Sequence, residues 1–214
     1  MNVITLDNTL PCVFLQKADI RSDIWRQQIT FERGKTYLVE AGSGTGKSSL
    51  CSYVIGHRKD YDGRILFDKR DSRSLSENDW VRLREHHVSI LFQELRLFPE
   101  LTAMENIEIK NCLTHHRQEH EIKQWFEALG IADKMTSPVR LMSFGQQQRV
   151  AMIRALVQPF DFLLADEPVS HLDEANSAAM AELMTAEAQR QGAGIIITSI
   201  GKHMQIPYDK TLCL

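Results

Sequence analysis

The chain has 214 residues, of which 43% are hydrophobic and 25% are charged, which suits one substantial domain with or without a small subdomain. Its formal net charge is −3, so no global basic field argues for binding to nucleic acid or to an anionic membrane surface. No apolar run approaches the roughly 20 residues that span a bilayer, and the first residues lack the pattern of a signal peptide. The four scattered cysteines form no C-x-x-C pair, which favours a reduced cytoplasmic protein.

Strand-like and helix-like runs alternate along the chain, which predicts an α/β sheet protein. The opening part, to about residue 22, is predicted to form an edge sheet. Between about Leu95 and Val150 the strand pattern is absent, so a helical insert is predicted within the α/β core. The predicted strands are Val13–Gln16, Thr36–Glu40, Arg64–Phe67, Val88–Phe92, Phe162–Ala165, Gly194–Thr198 and Lys210–Leu214. The predicted helices of the insert are Ala103–Lys110 (with Thr102 and Glu105 as a capping box), Arg117–Leu129 and Gly145–Val157.

A glycine-rich segment, Ala-Gly-Ser-Gly-Thr-Gly-Lys-Ser-Ser at 41–49, joins the predicted strand Thr36–Glu40 to the start of a helix. It matches the phosphate-loop pattern G-x-x-x-x-G-K-[ST] except that Ala41 replaces the first glycine. The glycines let successive N–H groups face an anion, and the helix adds its positive end. Lys47 can reach the β- and γ-phosphates, and the Ser48 hydroxyl can bind Mg²⁺. The predicted nucleotide-binding residues are Gly42, Ser43, Gly44, Thr45, Gly46, Lys47, Ser48 and Ser49.

Two carboxylates, Asp166 and Glu167, end the apolar run that begins at Phe160. Asp166, at a strand end, is placed to hold Mg²⁺, and Glu167 to act as general base or to position water for attack on the γ-phosphate. Gln93, just after another predicted strand, can contact Mg²⁺ or the attacking water. Alone, these residues could be a solvated acidic turn and an exposed loop glutamine. Behind a phosphate loop, they favour a Mg²⁺–nucleotide site.

Ser143 is a good N-cap for the predicted helix that begins near Gly145. A capped helix start can bind an anion, but this one lies far along the chain from the phosphate loop. It could therefore serve a nucleotide held mainly by another subunit, or it could be an ordinary helix cap.

These motifs, in this order, resemble the ATP-binding cassette family over nearly the whole chain. The matching segments are a Walker A loop (Gly42–Ser49), a Q-loop (Gln93), a signature motif (Met142–Gln146), a Walker B strand (Phe162–Asp166, with Glu167) and a D-loop (Ser170–Asp173). The resemblance implies a P-loop NTPase (RecA-like) core with an antiparallel N-terminal edge sheet and an inserted helical subdomain. It implies a single domain over 1–214, with the core at 1–94 and 151–214 and the helical subdomain at 95–150.

The resemblance also implies an ATPase that uses ATP and Mg²⁺ and forms a head-to-tail homodimer. In such a dimer, Ser143, Gly145, Gln146 and Asp173 of one copy contact ATP held by the other. Its partner would be an integral membrane permease on a separate chain, which places it in the cytoplasm at the inner face of the membrane, without membrane insertion or nucleic acid. The segments Gln93–Asn106 and Ala165–Asp173 look like those of the bacterial subgroup that serves lipoprotein release, macrolide efflux and cell-division permeases. The docking groove of the family is expected around Gln93–Asn106, where Phe98, Leu101 and Met104 either contact the permease or form the core of the subdomain.

Three positions depart from the family pattern. They are Ala41, Phe144 in the signature, where glycine is usual, and Ser199, where the family normally has a histidine that contacts the γ-phosphate. Ser199 can donate one hydrogen bond but is shorter and never cationic, so hydrolysis could be slow or dependent on a partner.

Two alternatives therefore stay open. The first is an ATP-gated regulatory module with weak or no hydrolysis. The second is a soluble cassette for DNA repair or translation, which is disfavoured because the chain has no long coiled-coil insert, tandem cassette or basic face. For stacking on adenine, Phe14 and Trp25 are the candidates, with Trp25 expected to pack beneath the sheet.

Overall fold

The computed structural model describes residues 1–17, 19–42, 44–170 and 172–214. These residues form two β-sheets with helices packed on their faces. The strands are β1 (Val3–Pro11), β2 (Gln28–Glu32), β3 (Thr36–Glu40), β4 (Tyr61–Phe67), β5 (Arg70–Asp71), β6 (Val88–Leu91), β7 (Phe162–Asp166), β8 (Gly194–Ser199) and β9 (Lys210–Cys213). The helices are α1 (Lys47–Val54), α2 (Glu77–His86), α3 (Ala103–Asn111), α4 (Glu119–Ala128), α5 (Phe144–Leu156) and α6 (Glu174–Gln191).

The larger sheet has five parallel strands in the order β6-β7-β8-β3-β9. Every residue of β7 and β8 is buried, which is why their apolar runs lack the alternation of a half-exposed strand. All five strands were predicted from the sequence, with bounds that agree to within one residue at each end. The α/β core is thereby confirmed.

The smaller sheet is antiparallel, in the order β2-β1-β4-β5. An N-terminal edge sheet was predicted, but it extends through β5 rather than ending near residue 22. The predicted strand Val13–Gln16 is wrong, because Cys12–Phe14 forms a 3-10 turn after β1 ends at Pro11. Val13 is 66% exposed, so no second layer covers the apolar run that suggested a strand.

A register shift in β1 interrupts the alternation of its side chains, so the sequence pattern did not reveal this strand. The pairing with β4 shifts between Asp7 and Leu10, and Asn8 there has φ +52°. Opposite this bulge, Gly63 has φ +80°, and a Cβ atom on it would lie 2.3 Å from the Asn8 carbonyl oxygen. Only glycine fits this close approach of two backbones.

The helices α3, α4 and α5 come from the segment where strand signals are absent, and no strand forms between β6 and β7 within the described residues. The capping box at the start of α3 is confirmed: the Glu105 amide donates to Thr102 Oγ1 at 3.2 Å, and the Thr102 amide donates to Glu105 Oε2 at 2.7 Å. These helices and α6 pack on one face of the parallel sheet around Ile107, Phe126 and Ile153. A second core lies between the two sheets, where α1 and α2 pack.

Candidate functional site

The glycine-rich loop leaves β3 at the carboxyl edge of the parallel sheet and enters α1 at Lys47. Gly46 caps α1 with φ +104°, and Gly44 has φ +74°, so both occupy conformations that other residues rarely adopt. Thr45 Oγ1 donates to the Gly42 carbonyl at 2.9 Å and closes the turn. Ser43 lies outside the described residues. Gly42 and Gly44 are exposed, so the free side of the loop can receive an anion.

Two aromatic side chains support this loop from behind. Trp25 is 1% exposed, and its indole N–H donates to the Thr45 carbonyl at 2.9 Å. A Cβ atom on Gly46 would lie 3.1 Å from the Trp25 ring and 3.2 Å from the Phe14 ring. Trp25 is therefore buried, as expected, but it also holds the loop in shape, a role that sequence reasoning missed. Phe14 is half-buried and lies under the Lys17 amine, 4.5 Å from the ring centroid.

The hydroxyls at the start of α1 differ in their surroundings. Ser48 is exposed, and Ser49 Oγ accepts a hydrogen bond from Arg58 at 2.9 Å. Ser48 can therefore reach a bound ion, whereas the Ser49 side chain is already hydrogen-bonded to Arg58.

The acidic strand end lies beside the loop because β7 and β3 are separated only by β8. Asp166 is 5% exposed and pairs in register with Thr198 on β8. The Thr198 hydroxyl donates to Asp166 Oδ1, which orients the carboxylate and leaves its second oxygen for a ligand. Beneath it, burial and the negative charge of Asp166 raise the pKa of the Cys51 thiol well above its ordinary value.

Glu167 faces the lysine of the glycine-rich loop. Its Oε1 lies 3.5 Å from Lys47 Nζ, and both side chains are largely buried, with 11% and 7% exposure. Lys47 Nζ also lies 3.4 Å from the Gly42 carbonyl. Glu167 has φ +50°, and its amide donates to the Thr198 carbonyl at 3.0 Å. A non-glycine residue in this strained conformation is held there by its surroundings, which here aim the carboxylate at the loop.

The oxygen donors at this edge suit Mg²⁺. Ser48 supplies a hydroxyl and Asp166 a carboxylate oxygen, and the exposed amide of Gln93 follows β6, whose last residue pairs with Ala165. Mg²⁺ takes few protein ligands and keeps waters and phosphate oxygens. Among the described residues there is no cluster of three or more His, Cys, Asp or Glu that could hold a metal.

Arg154 on α5 fixes the chain just after Gln93. Leu95 and Arg96 have φ +59° and +49°, and Arg154 donates to their carbonyls at 2.5 and 2.6 Å. Burial lowers the pKa of Arg154 to about 10. The conformation after Gln93 therefore depends on the same helix that carries Ser143 at its start.

The last residue of β8 and the segment that follows it make three contacts around the site. Ser199, 3% exposed, donates from Oγ to the Lys202 carbonyl at 2.5 Å. The Lys202 amine donates to the Leu172 carbonyl, and His203 Nε2 lies 3.0 Å from Glu40 Oε1. His203 therefore lies beside Glu40, the last residue of β3.

The signature residues lie apart from the loop. Ser143 caps α5: its Oγ accepts from the Gln146 amide at 3.3 Å, and its own amide donates to Gln146 Oε1 at 2.9 Å. A Cβ atom on Gly145 would lie 3.2 Å from Leu172, and Asp173 caps α6 by accepting from the Asn176 amide at 2.8 Å. Within the described residues, no hydrogen bond or ion pair joins Ser143, Gly145, Gln146 or Asp173 to the glycine-rich loop.

Comparisons with known proteins agree with this architecture. The family model described as "ABC transporter" matches residues 26–170. The chain is 31% identical over 175 residues to the ABC transporter ATP-binding protein YclH of Bacillus subtilis, covering 80% of this chain and 76% of that protein. It is also 31% identical to the macrolide export ATP-binding/permease protein MacB of a Shewanella strain, covering 80% of this chain but 27% of that longer protein. In structure, it resembles the dimeric bacterial ABC transporter cassette MJ0796, with a TM-score of 0.76, 24% identity, and coverage of 92% of this chain and 87% of that one.

Proposed function

The chain belongs to the ABC transporter family as an ATP-binding and ATP-hydrolysing subunit, and we propose that the loop at 41–49, Gln93, Asp166 and Glu167 form its half of the hydrolysis site. The approach of Lys47 Nζ to within 3.5 Å of Glu167 Oε1 carries this proposal. It brings a phosphate-binding cation and a carboxylate together at the sheet edge where α/β proteins bind ligands.

Each residue then has a defined task toward ATP. The backbone N–H groups of the loop, the start of α1 and Lys47 hold the phosphates. Glu167 accepts the proton of the attacking water or positions that water, since its carboxylate lies beside Lys47 and thus beside the bound phosphates. Bound Mg²⁺, held by Ser48, Asp166 and Gln93, would neutralise developing phosphate charge. We assign the RecA-like core to 1–94 and 151–214 and the helical subdomain to 95–150.

The remaining predicted residues belong to the other half of the site, contributed by a second copy. Ser143, Gly145, Gln146 and Asp173 lie at the starts of two helices, and none of these four residues has a hydrogen bond or ion pair to its own glycine-rich loop among the described residues. A head-to-tail dimer would place them over ATP held by the partner, where N–H groups and the positive helix end favour an anion.

In this proposal, Ser199 limits the rate of ATP hydrolysis. Its hydroxyl is already used by the Lys202 carbonyl, so it offers the γ-phosphate less than the histidine usual in the family. We therefore propose turnover that rises when a partner closes the dimer. Family membership favours this hydrolysing subunit over the regulatory module that weak hydrolysis alone would suggest.

The partner we propose is an integral membrane permease subunit. One relative, MacB, is named as both an ATP-binding and a permease protein. Within the described residues, no helix has the length and apolar character needed to cross a membrane. A separate permease chain would therefore bring this subunit to the inner face of the membrane.

A steady-state ATPase assay with MgATP tests the assignment of Glu167. We expect Glu167→Gln to abolish turnover while ATP still binds, because the amide cannot accept the proton. The matched control is Glu127→Gln, an exposed glutamate on α4, which should turn over like the unaltered chain. Full turnover by Glu167→Gln would remove Glu167 from the mechanism.

A further inference from the structure

The side chain of Gln93 is exposed and makes no hydrogen bond with any described residue. The sheet supports the chain only up to Leu91, the last residue of β6, which pairs with Ala165. The position of Gln93 therefore depends on the backbone that begins at Phe92.

The backbone around Gln93 forms a tight turn over residues 92–96, which we call the Gln93 turn. The Leu95 amide closes it by donating to the Phe92 carbonyl at 3.0 Å. Leu95 and Arg96 are consecutive residues other than glycine in the left-handed region, with φ +59° and +49°. Residues in this costly conformation persist only where the surrounding structure holds them, and they cluster at functional sites. The contacts that hold the Gln93 turn are therefore candidates for a role at the nucleotide site.

The Arg96 side chain folds back over the start of the turn. Its guanidinium carbon lies 4.0 Å from the centroid of the Phe92 ring, and its Nη1 lies 3.5 Å from His57 Nδ1. The rings of His57 and Phe92 are nearly parallel, with centroids 5.9 Å apart. A cation over an aromatic face is attracted by the charge distribution of the ring, so Arg96 ties the last residue of the turn to its first.

Arg154 holds the same turn from α5. Its guanidinium donates to the carbonyls of Leu95 and Arg96 at 2.5 and 2.6 Å. These are the two residues in the left-handed region, so the hydrogen bonds are made where the backbone is strained. Hydrogen bonds from a charged donor are stronger than those between neutral groups.

The chain beyond the turn is anchored to α3. Asn106 is fully buried, and its side chain accepts from the Phe98 amide at 2.7 Å and donates to the Phe98 carbonyl at 3.0 Å. Of the three residues expected to contact a permease or to form the core of the subdomain, Met104 packs against that core, Leu101 is half-buried and Phe98 is 52% exposed. The Gln93 turn is thus fixed at both ends, by β6 and by Asn106.

We propose that Arg96 and Arg154 are positioning residues that hold the Gln93 amide toward Mg²⁺ by fixing the Gln93 turn. This inference rests on the proposed role of Gln93 in the nucleotide site. A side chain with no partner of its own keeps a defined place only if its backbone is fixed, and a fixed backbone avoids an ordering cost when the ion binds. Mg²⁺ requires near-ideal octahedral geometry, so a displaced amide oxygen would be a poorer ligand.

Isothermal titration of the full chain with AMP-PNP, a non-hydrolysable analogue of ATP, tests this proposal without requiring turnover. The measured quantity is the ratio of the affinities with and without Mg²⁺. We expect Arg96→Gln to lower this ratio about two- to fivefold through loss of an exposed cation–π contact, and Arg154→Met to lower it about tenfold, as is typical when the support of a metal ligand is removed. The affinity without Mg²⁺ should stay unchanged. Arg82→Gln, an exposed arginine on α2, is the matched control and should keep the ratio.

The decisive comparison adds Arg96→Gln to Gln93→Ala. The Arg96 side chain is 49% exposed, so its replacement leaves folding intact. If Arg96 acts through Gln93, the double variant should have the same ratio as Gln93→Ala alone. A ratio that Arg96→Gln lowers equally with and without Gln93→Ala, or one that neither Arg96→Gln nor Arg154→Met lowers, would overturn the proposal while Gln93 keeps its assignment. A ratio unchanged in Gln93→Ala would instead remove Gln93 from the proposed site, and this inference with it.

Discussion

The hydrogen bond from Thr198 to Asp166 offers a sharp test of how the site is held. Thr198 is fully buried and Asp166 is 5% exposed, so the hydroxyl donates to a carboxylate that has little access to water. Replacing Thr198 by Val keeps the shape of the side chain but removes the donor. A hydrogen bond to a charged group contributes about 1.5–3 kcal/mol, so we expect the free energy of unfolding to fall by about that amount.

For a chain of this length, each kcal/mol shifts Tm by about 2–4 °C, which predicts a loss of about 3–12 °C for Thr198→Val. Thr198→Ser is the matched control, because it keeps the donor and removes one buried methyl group, at a cost of about 1 kcal/mol. Urea unfolding and MgATP titration of the three proteins measure stability and Mg²⁺-dependent affinity. The Val variant should lose more of both. Equal losses in the two variants would refute the role of the hydrogen bond in orienting Asp166.

Two further predictions concern the glycine-rich loop and Lys110 on α3. Gly46→Ala should weaken ATP binding by about 1–3 kcal/mol, because the new side chain strains the backbone at φ +104° and contacts the Trp25 ring. Gly44→Ala is the control, since its added Cβ atom meets no atom within 4 Å, and isothermal titration should show a smaller loss of ATP affinity for it. If both variants lose affinity equally, the aromatic support of the loop is irrelevant to binding. Burial lowers the pKa of the Lys110 amine from 10.5 to about 7 in the folded chain. Since one pKa unit is worth about 1.4 kcal/mol, Lys110→Met should raise the free energy of unfolding by about 2–5 kcal/mol at pH 7 and below. The unfolded state binds the extra proton between these values, so the gain should vanish as the pH rises from 7 to 10.5 in urea titrations; a gain that is independent of pH would contradict this.

The sequence predicted the parallel sheet well because its central strands, β7 and β8, are buried throughout and read as apolar runs. Phe162–Ala165 and Gly194–Thr198 needed no knowledge of their neighbours to be recognised. By contrast, β1 was missed because the bulge at Asn8 interrupts its alternation. The two helices that were not predicted, α2 and α6, carried cap signals in the sequence. Ser76 with Asp79 starts the first, and Asp173 and Gly192 bound the second.

The chemistry of the site was predictable where one short segment carries it. The loop at 41–49 and the two carboxylates at the end of β7 stand out as motifs. The contacts that orient them join residues far apart in the chain, such as Trp25 with Thr45 and Thr198 with Asp166. Thr198 meets Asp166 through the register of β7 and β8, and Trp25 reaches Thr45 from the segment before β2. No single segment of the sequence reveals either contact.

The central claim is that ATP bound at this loop is enclosed by the signature residues of a second copy. The most direct measurement is the molar mass in solution, by light scattering, of Glu167→Gln with and without ATP. We predict a monomer without ATP and a dimer with it, and we predict that adding Ser143→Arg returns the ATP-bound protein to a monomer without weakening ATP binding. A dimer that forms without ATP, or one that persists with Ser143→Arg, would contradict the shared site.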